Sequence, residues 1–243
     1  MDDGATGLSE GLGSVDELEN VARELSAASH ERERIKVAVE AAVELVGGCD
    51  HAGVTILDRG GFTTPAATDD VAARGDQLQY KFDEGPCLDS VRHEETVLSQ
   101  DLAADQRWPR WAPAVQSELG TSSMLSLLLY TSERSMGALN LYGDRRRAFD
   151  SDDIVTARAL AGHLAVAMAA GRQIEQLTVA VGSRTIIGQA EGILMERLGI
   201  DAQQAFNYLR RVSMDTNRKL IQVADDLVRT RQLLGPGDIT QGS

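Results

Sequence analysis

The amino-acid sequence predicts an α+β fold in which an antiparallel sheet with flanking helices is followed by a long connecting helix and a C-terminal three-helix bundle. Three observations predict this fold. Short apolar or alternating segments bounded by turn residues fill the first part of the chain. A helical pattern without proline begins at Ser151, and the last part of the chain shows three apolar stripes with two short joints.

The first segment of the chain has little to bury. Residues 1–14 contain four glycines and three acidic residues, so we expect a disordered tail. From Val15 onwards apolar residues recur at helical spacing, which predicts one long helix or two helices in series. Gly47 and Gly48 follow this pattern, and we expect them to form its C-cap.

Five short segments are strand candidates because they are apolar or alternating and end at Gly, Pro, Asp or Ser. They are residues 52–57, 62–67, 97–99, 123–129 and 136–142. The last two are joined by a connection of hairpin length, which favours an antiparallel sheet. Two further segments, 86–92 and 109–118, have proline near their start and are predicted to be helices.

A long helix is predicted from Ser151, with Asp152 and Asp153 placed favourably in its first turn. Apolar or small residues then recur at steps of three and four as far as about Leu198, as they do along a coiled-coil seam. We therefore expect a continuous or nearly continuous helix that connects two domains and dimerises.

The C-terminal part carries three helical stripes. The first ends at Gly199, and Asp201 followed by Gln204 has the pattern of a capping box at the start of the second. The third begins after residues 216–217. This pattern predicts a compact bundle of three helices.

The part of the chain before the long helix contains four distinctive stretches: Asp83–Cys87, Trp108–Pro109 with Trp111, Ser122–Leu129 and Gly137–Tyr142. In these stretches and in the order of its elements, this part resembles a GAF domain. The resemblance implies a sensor domain that binds a small molecule over its sheet or only dimerises, and the ligand stays unknown. Residues 80–84 (YKFDE) are contiguous, whereas the cyclic-nucleotide signature of some GAF domains is dispersed, so cyclic nucleotides are not favoured.

The C-terminal stripes contain five distinctive stretches: Gln189–Met195, Ala205–Phe206, Leu209–Arg210, Asn217–Leu220 and Ala224. Taken together, they resemble an ANTAR domain over its full length. The resemblance implies a dimer that binds paired hairpins in nascent transcripts and prevents a terminator from forming. Glu191 departs from the family pattern, because many members have lysine there; this either removes one expected phosphate contact or shows that the position is not essential.

Charge supports the same interpretation in part. Residues 183–234 carry eight basic and six acidic side chains, whereas the whole chain has a net charge of −13, which argues against a nucleic-acid binder with a uniformly basic surface. The candidate RNA-binding residues are Arg184, Gln189, Tyr208, Arg210, Arg211, Asn217, Arg218 and Lys219. The alternative is that these are solvated charges paired with Asp215, Asp225 and Asp226. Tyr208 is the better candidate for base stacking, since Phe206 lies on the apolar stripe.

These observations predict a domain order and a function. The order is a tail (1–14), a GAF-like sensor (15–171), a helical coiled-coil linker (172–183), an ANTAR domain (184–235) and a second tail (236–243). We expect a homodimeric, signal-responsive regulator that binds RNA hairpins and prevents transcription termination. A DNA-binding transcription factor with a GAF sensor, and a protein-interaction adaptor that binds no nucleic acid, are the alternatives.

Other classes of site have no pattern in the sequence. No nucleophile elbow, P-loop or HExxH motif occurs, and the histidines lack metal-ligand spacing, so we expect no enzyme, metal or cofactor. The two cysteines, Cys49 and Cys87, suit a reducing compartment. Cys87 is either a reactive thiol at a helix N-terminus or a small buried residue. No signal peptide or membrane span is expected, which predicts a cytoplasmic protein.

Overall fold

A computed structural model describes residues 5–58, 60–130 and 135–233 of the chain. The chain divides into two compact units, one up to Arg172 and one from Gln173. In chain order the elements are α1 (Ala5–Ala27), α2 (Glu31–Leu45), β1 (His51–Asp58), β2 (Gly61–Ala67), α3 (Asp70–Phe82), α4 (Pro86–His93), β3 (Val97–Ser99), α5 (Trp111–Leu119), β4 (Ser123–Tyr130), β5 (Ser135–Gly143), α6 (Ser151–Leu198), α7 (Ala202–Asp215) and α8 (Leu220–Thr230).

The first unit is built on a five-stranded sheet of order β2-β1-β5-β4-β3. Every neighbouring pair is antiparallel, which confirms the predicted sheet. The central strand β5 places Asn140 opposite Gly53 of β1 on one side and Ser126 of β4 on the other. Polar side chains are therefore brought to the middle of the sheet.

The two faces of the sheet are covered by different helices, as the period of two along each strand requires. In β5, Leu139 and Leu141 belong to the core formed with α1, α2 and the first part of α6. Ala138 and Tyr142 belong to the core formed with α3, α4 and α5. The sheet unit is thus a three-layer structure with helices on both faces.

The N-terminal prediction needs two corrections. Two helices in series are present, but α1 begins at Ala5, within the expected tail 1–14. A helix that already exists grows by one hydrogen bond per added residue, so glycines at its end do not by themselves stop it. The expected C-cap is also displaced, because extended Val46 caps α2 and donates its N–H to Ala42. Gly48 instead allows close packing, since a Cβ there would lie 2.3 Å from the Ala148 carbonyl oxygen.

Helix α3 was not predicted from the sequence. Its N-cap Asp69 accepts hydrogen bonds from the backbone N–H groups of Val71 and Ala72. Its buried face includes Gly75, Asp76 and Gln79 beside apolar residues. These polar and small residues interrupt the apolar repeat by which a helix is recognised.

Helix α6 runs from Ser151 to Leu198, as predicted. By length and composition alone this helix could cross a membrane. Of its apolar 18-residue segment, 39% is buried inside the fold. Leu160, Leu164 and Met168 belong to the core beneath the sheet, which accounts for apolar residues in its first part.

The second unit is a three-helix bundle formed by the end of α6 with α7 and α8. Its core contains Leu194, Leu209 and Leu227 among other buried side chains. The predicted capping box is present: Asp201 Oδ1 accepts from Gln204 N at 2.8 Å, and Gln204 Oε1 accepts from Asp201 N at 3.0 Å. Helix α7 therefore begins where the sequence indicates. The expected tail 236–243 lies outside the described residues.

Candidate functional site

The eight candidate RNA-binding residues lie on three parts of the bundle. Arg184 and Gln189 are on α6, Tyr208, Arg210 and Arg211 are on α7, and Asn217, Arg218 and Lys219 form the turn before α8. All are exposed except Tyr208, which is half-buried.

The turn between α7 and α8 is held by two hydrogen bonds between Ser213 and Arg218. Arg218 N donates to the Ser213 carbonyl at 3.1 Å, and Ser213 Oγ donates to the Arg218 carbonyl at 2.6 Å. Asn217 has a φ of +51°, in the left-handed region that asparagine tolerates better than most residues. The backbone thus gives Asn217 a structural role beside the predicted recognition of bases.

The positive charges of the candidate residues are not equally available. Arg218 forms an ion pair with Asp226, which also accepts from Arg229 at 3.0 Å. The hydrogen bond from Arg218 lowers the pKa of Asp226. Pairing therefore compensates Arg218, as the solvated-charge alternative expects. Within the described part of the chain, by contrast, Arg210 and Arg211 form no ion pair with a carboxylate.

The outer face of α7 borders a groove of about 620 Å³. It is lined by Leu198, Ile200, Gln204, Asn207, Tyr208, Arg210, Arg211, Met214 and Asp215. The guanidinium of Arg211 lies 6.0 Å from the centroid of the Tyr208 ring. Three candidate residues thus meet here, and we call this surface the α7 groove.

The other five candidate residues are not among the residues lining the α7 groove. Sequence reasoning also missed several lining residues, including Asn207, Leu198 and Met214. A signal was available for Met214, because it is a large apolar residue outside the buried face of α7 that Ala205, Leu209 and Val212 form. The sequence holds no such signal for Leu198, which lies one turn after the buried Leu194 and is nevertheless 42% exposed.

The packing of the two aromatic residues of α7, Phe206 and Tyr208, differs from the expectation. Tyr208 packs against the core of the bundle, whereas Phe206 is only half-buried and lies outside the buried face of α7. The reason is helical geometry, since Tyr208 lies one turn before the buried Val212 and on the same face. The expectation that Phe206 is the core residue is wrong.

The sheet unit contains a buried polar network on the face covered by α3, which we call the Asp76 cluster. Its members are Thr55, Thr64, Asp76, Gln79, Tyr80, Asn140 and Tyr142. Asp76 accepts from Tyr142 Oη at 2.6 Å, from Asn140 Nδ2 at 2.9 Å and from Thr64 Oγ1 at 3.0 Å. Burial raises the pKa of Asp76 to about 6, although these hydrogen bonds act to lower it.

The Asp83–Cys87 stretch closes this cluster. Gly85 has a φ of +133°, and a Cβ there would lie 2.3 Å from Gln79 Oε1. The same oxygen accepts from Cys87 N at 2.8 Å. Burial raises the pKa of the Cys87 thiol to about 12. The geometry agrees with the small buried residue and leaves almost no thiolate to react.

The two tryptophans belong to the core beside this cluster. Their rings meet edge to face with centroids 5.7 Å apart, and both are buried. Trp108 Nε1 donates to Asp89 at 2.8 Å, and Trp111 Nε1 donates to the Gly75 carbonyl at 3.2 Å. Both side chains are satisfied by the fold itself and have a packing role.

Comparisons with known proteins follow the same division. A GAF domain family model matches residues 28–169, and an ANTAR domain model matches residues 175–228. The comparison with curated proteins found no match.

Solved structures resemble the sheet unit. One is the GAF domain of a phosphoenolpyruvate-protein phosphotransferase from Coxiella burnetii (19% identity, 68% of this chain, 98% of that chain, TM-score 0.55). Another is the GAF domain of the Acinetobacter phosphotransferase (16% identity, 66% and 95%, TM-score 0.54). A third is free methionine-R-sulfoxide reductase from Neisseria meningitidis, in complex with its substrate (17% identity, 66% and 91%, TM-score 0.50). At these identities the likeness shows the fold alone.

Proposed function

We propose that this chain, which belongs to the GAF domain family and carries an ANTAR domain after the GAF domain, is a signal-responsive regulator that binds RNA hairpins and prevents transcription termination. GAF and ANTAR domains are regulatory domains, and an ANTAR domain implies an RNA-binding antitermination regulator. The hairpin target and the homodimer are parts of the proposal. The observation that carries it is the ANTAR match over the bundle that holds Arg210 and Arg211.

Charge supports binding to RNA by the bundle. In a chain with a net charge of −13, most surfaces repel a phosphate backbone. Arg210, Arg211 and Lys219 are exposed on the bundle, and no ion pair involves them within the described residues. Their charges are available to replace counterions along the RNA, so we expect affinity to fall as salt is added.

The homodimer is proposed to form along α6. Ile174, Leu177 and Val181 are large apolar residues that are more than half exposed. Their spacing places them along one side of the helix, where a second copy can bury them as a coiled coil through residues 172–183. Two tethered bundles then bind two hairpins with a gain in effective concentration.

The sensor role is assigned to the GAF domain, and we propose limits of 15–171 for it and 184–235 for the ANTAR domain. We propose that the GAF domain binds a small molecule, and we do not assign that molecule an identity. Burial raises the pKa of both Cys49 and Cys87, so the proposal assigns neither thiol a role as a thiolate nucleophile. We place this activity in the cytoplasm, which suits free thiols.

Fluorescence anisotropy tests the proposal with the full-length chain. The probes are a pool of RNA hairpins with randomised loops and duplex DNA of matching stem sequence. We expect the chain to bind hairpin RNA more tightly than duplex DNA. The double variant Arg210→Glu with Lys219→Glu should abolish this binding. The matched control is Lys36→Glu with Arg145→Glu, which changes the net charge equally on the sheet unit. Equal retention of duplex DNA supports the DNA-binding alternative, and full function after both bundle reversals supports the adaptor.

A further inference from the structure

The α7 groove combines chemical features that phosphate binding alone does not need. It exposes Met214 and Leu198, and it places the amides of Gln204 and Asn207 beside them. A site for phosphates requires cations and N–H donors, whereas apolar side chains gain nothing from contact with phosphate. The apolar part of this groove therefore needs a second explanation.

The volume and charge of the groove fit a small ligand that carries an anionic group. Its volume of about 620 Å³ lies within the range of roughly 300–1,000 Å³ that pockets for small ligands occupy. Arg210 and Arg211 line it against a single carboxylate, Asp215, so the lining carries excess positive charge. A nucleotide with its base turned outward has this combination of an apolar face, polar edges and a negative phosphate.

We propose that the α7 groove holds one unstacked base of an RNA hairpin loop, an inference that rests on the proposed RNA-binding function. The base lies against Met214 and Leu198 with the Tyr208 ring at the edge of the site. The Asn207 amide donates to or accepts from the edge of the base. Arg210 and Arg211 bind the phosphates on either side of the nucleotide.

This arrangement explains how the bundle distinguishes a loop from a duplex. Bases in a duplex are stacked and paired, so their faces cannot reach an apolar surface on a protein helix. A loop nucleotide can turn outward at low cost. The arginines alone attract any phosphate backbone, and the groove adds the selection of single-stranded RNA.

Abasic substitution tests the inference separately from the proposed function. The probe is the hairpin that the full-length chain enriches from the randomised-loop pool, together with derivatives in which each loop nucleotide in turn is abasic. These derivatives keep every phosphate. Stacking of a single base on a protein is worth a factor of roughly 5–150 in affinity. We expect one or more abasic derivatives to bind the unchanged protein more weakly by a factor in this range.

Two variants locate the effect. Met214→Ser and Asn207→Ala should weaken binding of the intact hairpin and reduce the abasic penalty towards one, with the far-UV circular dichroism unchanged. Gln203→Ala is the matched control, because Gln203 is exposed on the same helix and does not line the groove. It should keep both the affinity and the penalty.

The outcomes separate the two proposals. If the unchanged protein enriches no hairpin, the proposed function fails. If it binds hairpins but both groove variants keep the full abasic penalty, RNA binding stands and the groove is not the base site. If Met214→Ser instead dissociates the protein in sedimentation and leaves the RNA affinity of each subunit unchanged, the groove is a protein interface and the inference is overturned.

Discussion

The buried carboxyl of Asp76 predicts that the GAF domain loses stability as pH rises. Burial raises the pKa of this group from its ordinary value of 3.8 to about 6. The folded state therefore holds the proton more tightly than the unfolded state does. The stabilisation is fully present below the unfolded value and is lost as pH rises through about 6. This pKa difference corresponds to about 3 kcal/mol of unfolding free energy.

Asp76→Asn is the perturbation that isolates this effect, because it removes the charge and keeps the shape. On Oδ1, Asp76 accepts from N–H and hydroxyl donors, including Asn140 and Tyr142. On Oδ2 its neighbours are the hydroxyls of Thr55 and Thr64. A hydroxyl can accept as well as donate, so the new amide fits at the Oδ2 position.

The assay is urea unfolding of the full-length chain, followed by tryptophan fluorescence. Both tryptophans of the chain, Trp108 and Trp111, lie in the sheet unit, so the signal reports on that unit. From about pH 4 to about pH 8 the unfolding free energy of the unchanged protein should fall by about 2.4 kcal/mol relative to the Asp76→Asn variant, because pH 4 already lies just above the unfolded pKa of 3.8. Other titrating groups cancel in this difference. Parallel pH profiles for the two proteins would refute the reasoning.

Three further predictions concern backbone and charge. Asp201→Ala removes the capping box and should lower the stability of the bundle by about 1 kcal/mol, measured by circular dichroism, with the tryptophan transition unchanged. Gly137→Ala places a Cβ 1.9 Å from a carbonyl oxygen of the neighbouring strand at a φ of +150°, and should cost the sheet unit more than about 3 kcal/mol in urea unfolding. Gly162→Ala, with nothing within 4 Å, should be neutral or stabilising by about 0.5–1 kcal/mol, so a loss there argues against the steric reason. Arg211→Gln should reduce the slope of log affinity for RNA against log salt concentration by about 0.7. Arg218→Gln should reduce this slope by less, because Arg218 forms an ion pair with Asp226. Equal reductions in the two variants would contradict the role of that ion pair.

Local signals in the sequence were sufficient for much of the fold. Strands β3 and β4 and helix α6 begin at the predicted residues, because turn residues and caps act over a few neighbours. Helix α3 was missed because Asp76 and Gln79 interrupt its apolar face. Whether such polar residues point inward depends on partners from β1, β2 and β5, which are distant in sequence. The buried network therefore could not be read from local patterns.

The candidate site shows the same division between local and tertiary information. Counting charges found the basic residues of the bundle. Their availability depends on pairing, since Arg218 forms an ion pair with Asp226 whereas no described carboxylate forms an ion pair with Arg210 or Arg211. The α7 groove also requires the packed bundle, because Leu198 reaches it from the end of α6.

The most direct test of RNA binding by the bundle is crosslinking of the full-length chain to cellular RNA, followed by sequencing. It is done for the unchanged protein, for Arg210→Glu with Lys219→Glu, and for the control Lys36→Glu with Arg145→Glu. We predict that crosslinks of the unchanged protein and the control concentrate in hairpins that precede terminators, and that the bundle reversals remove them. Crosslinks of equal number and position in all three proteins would contradict the account.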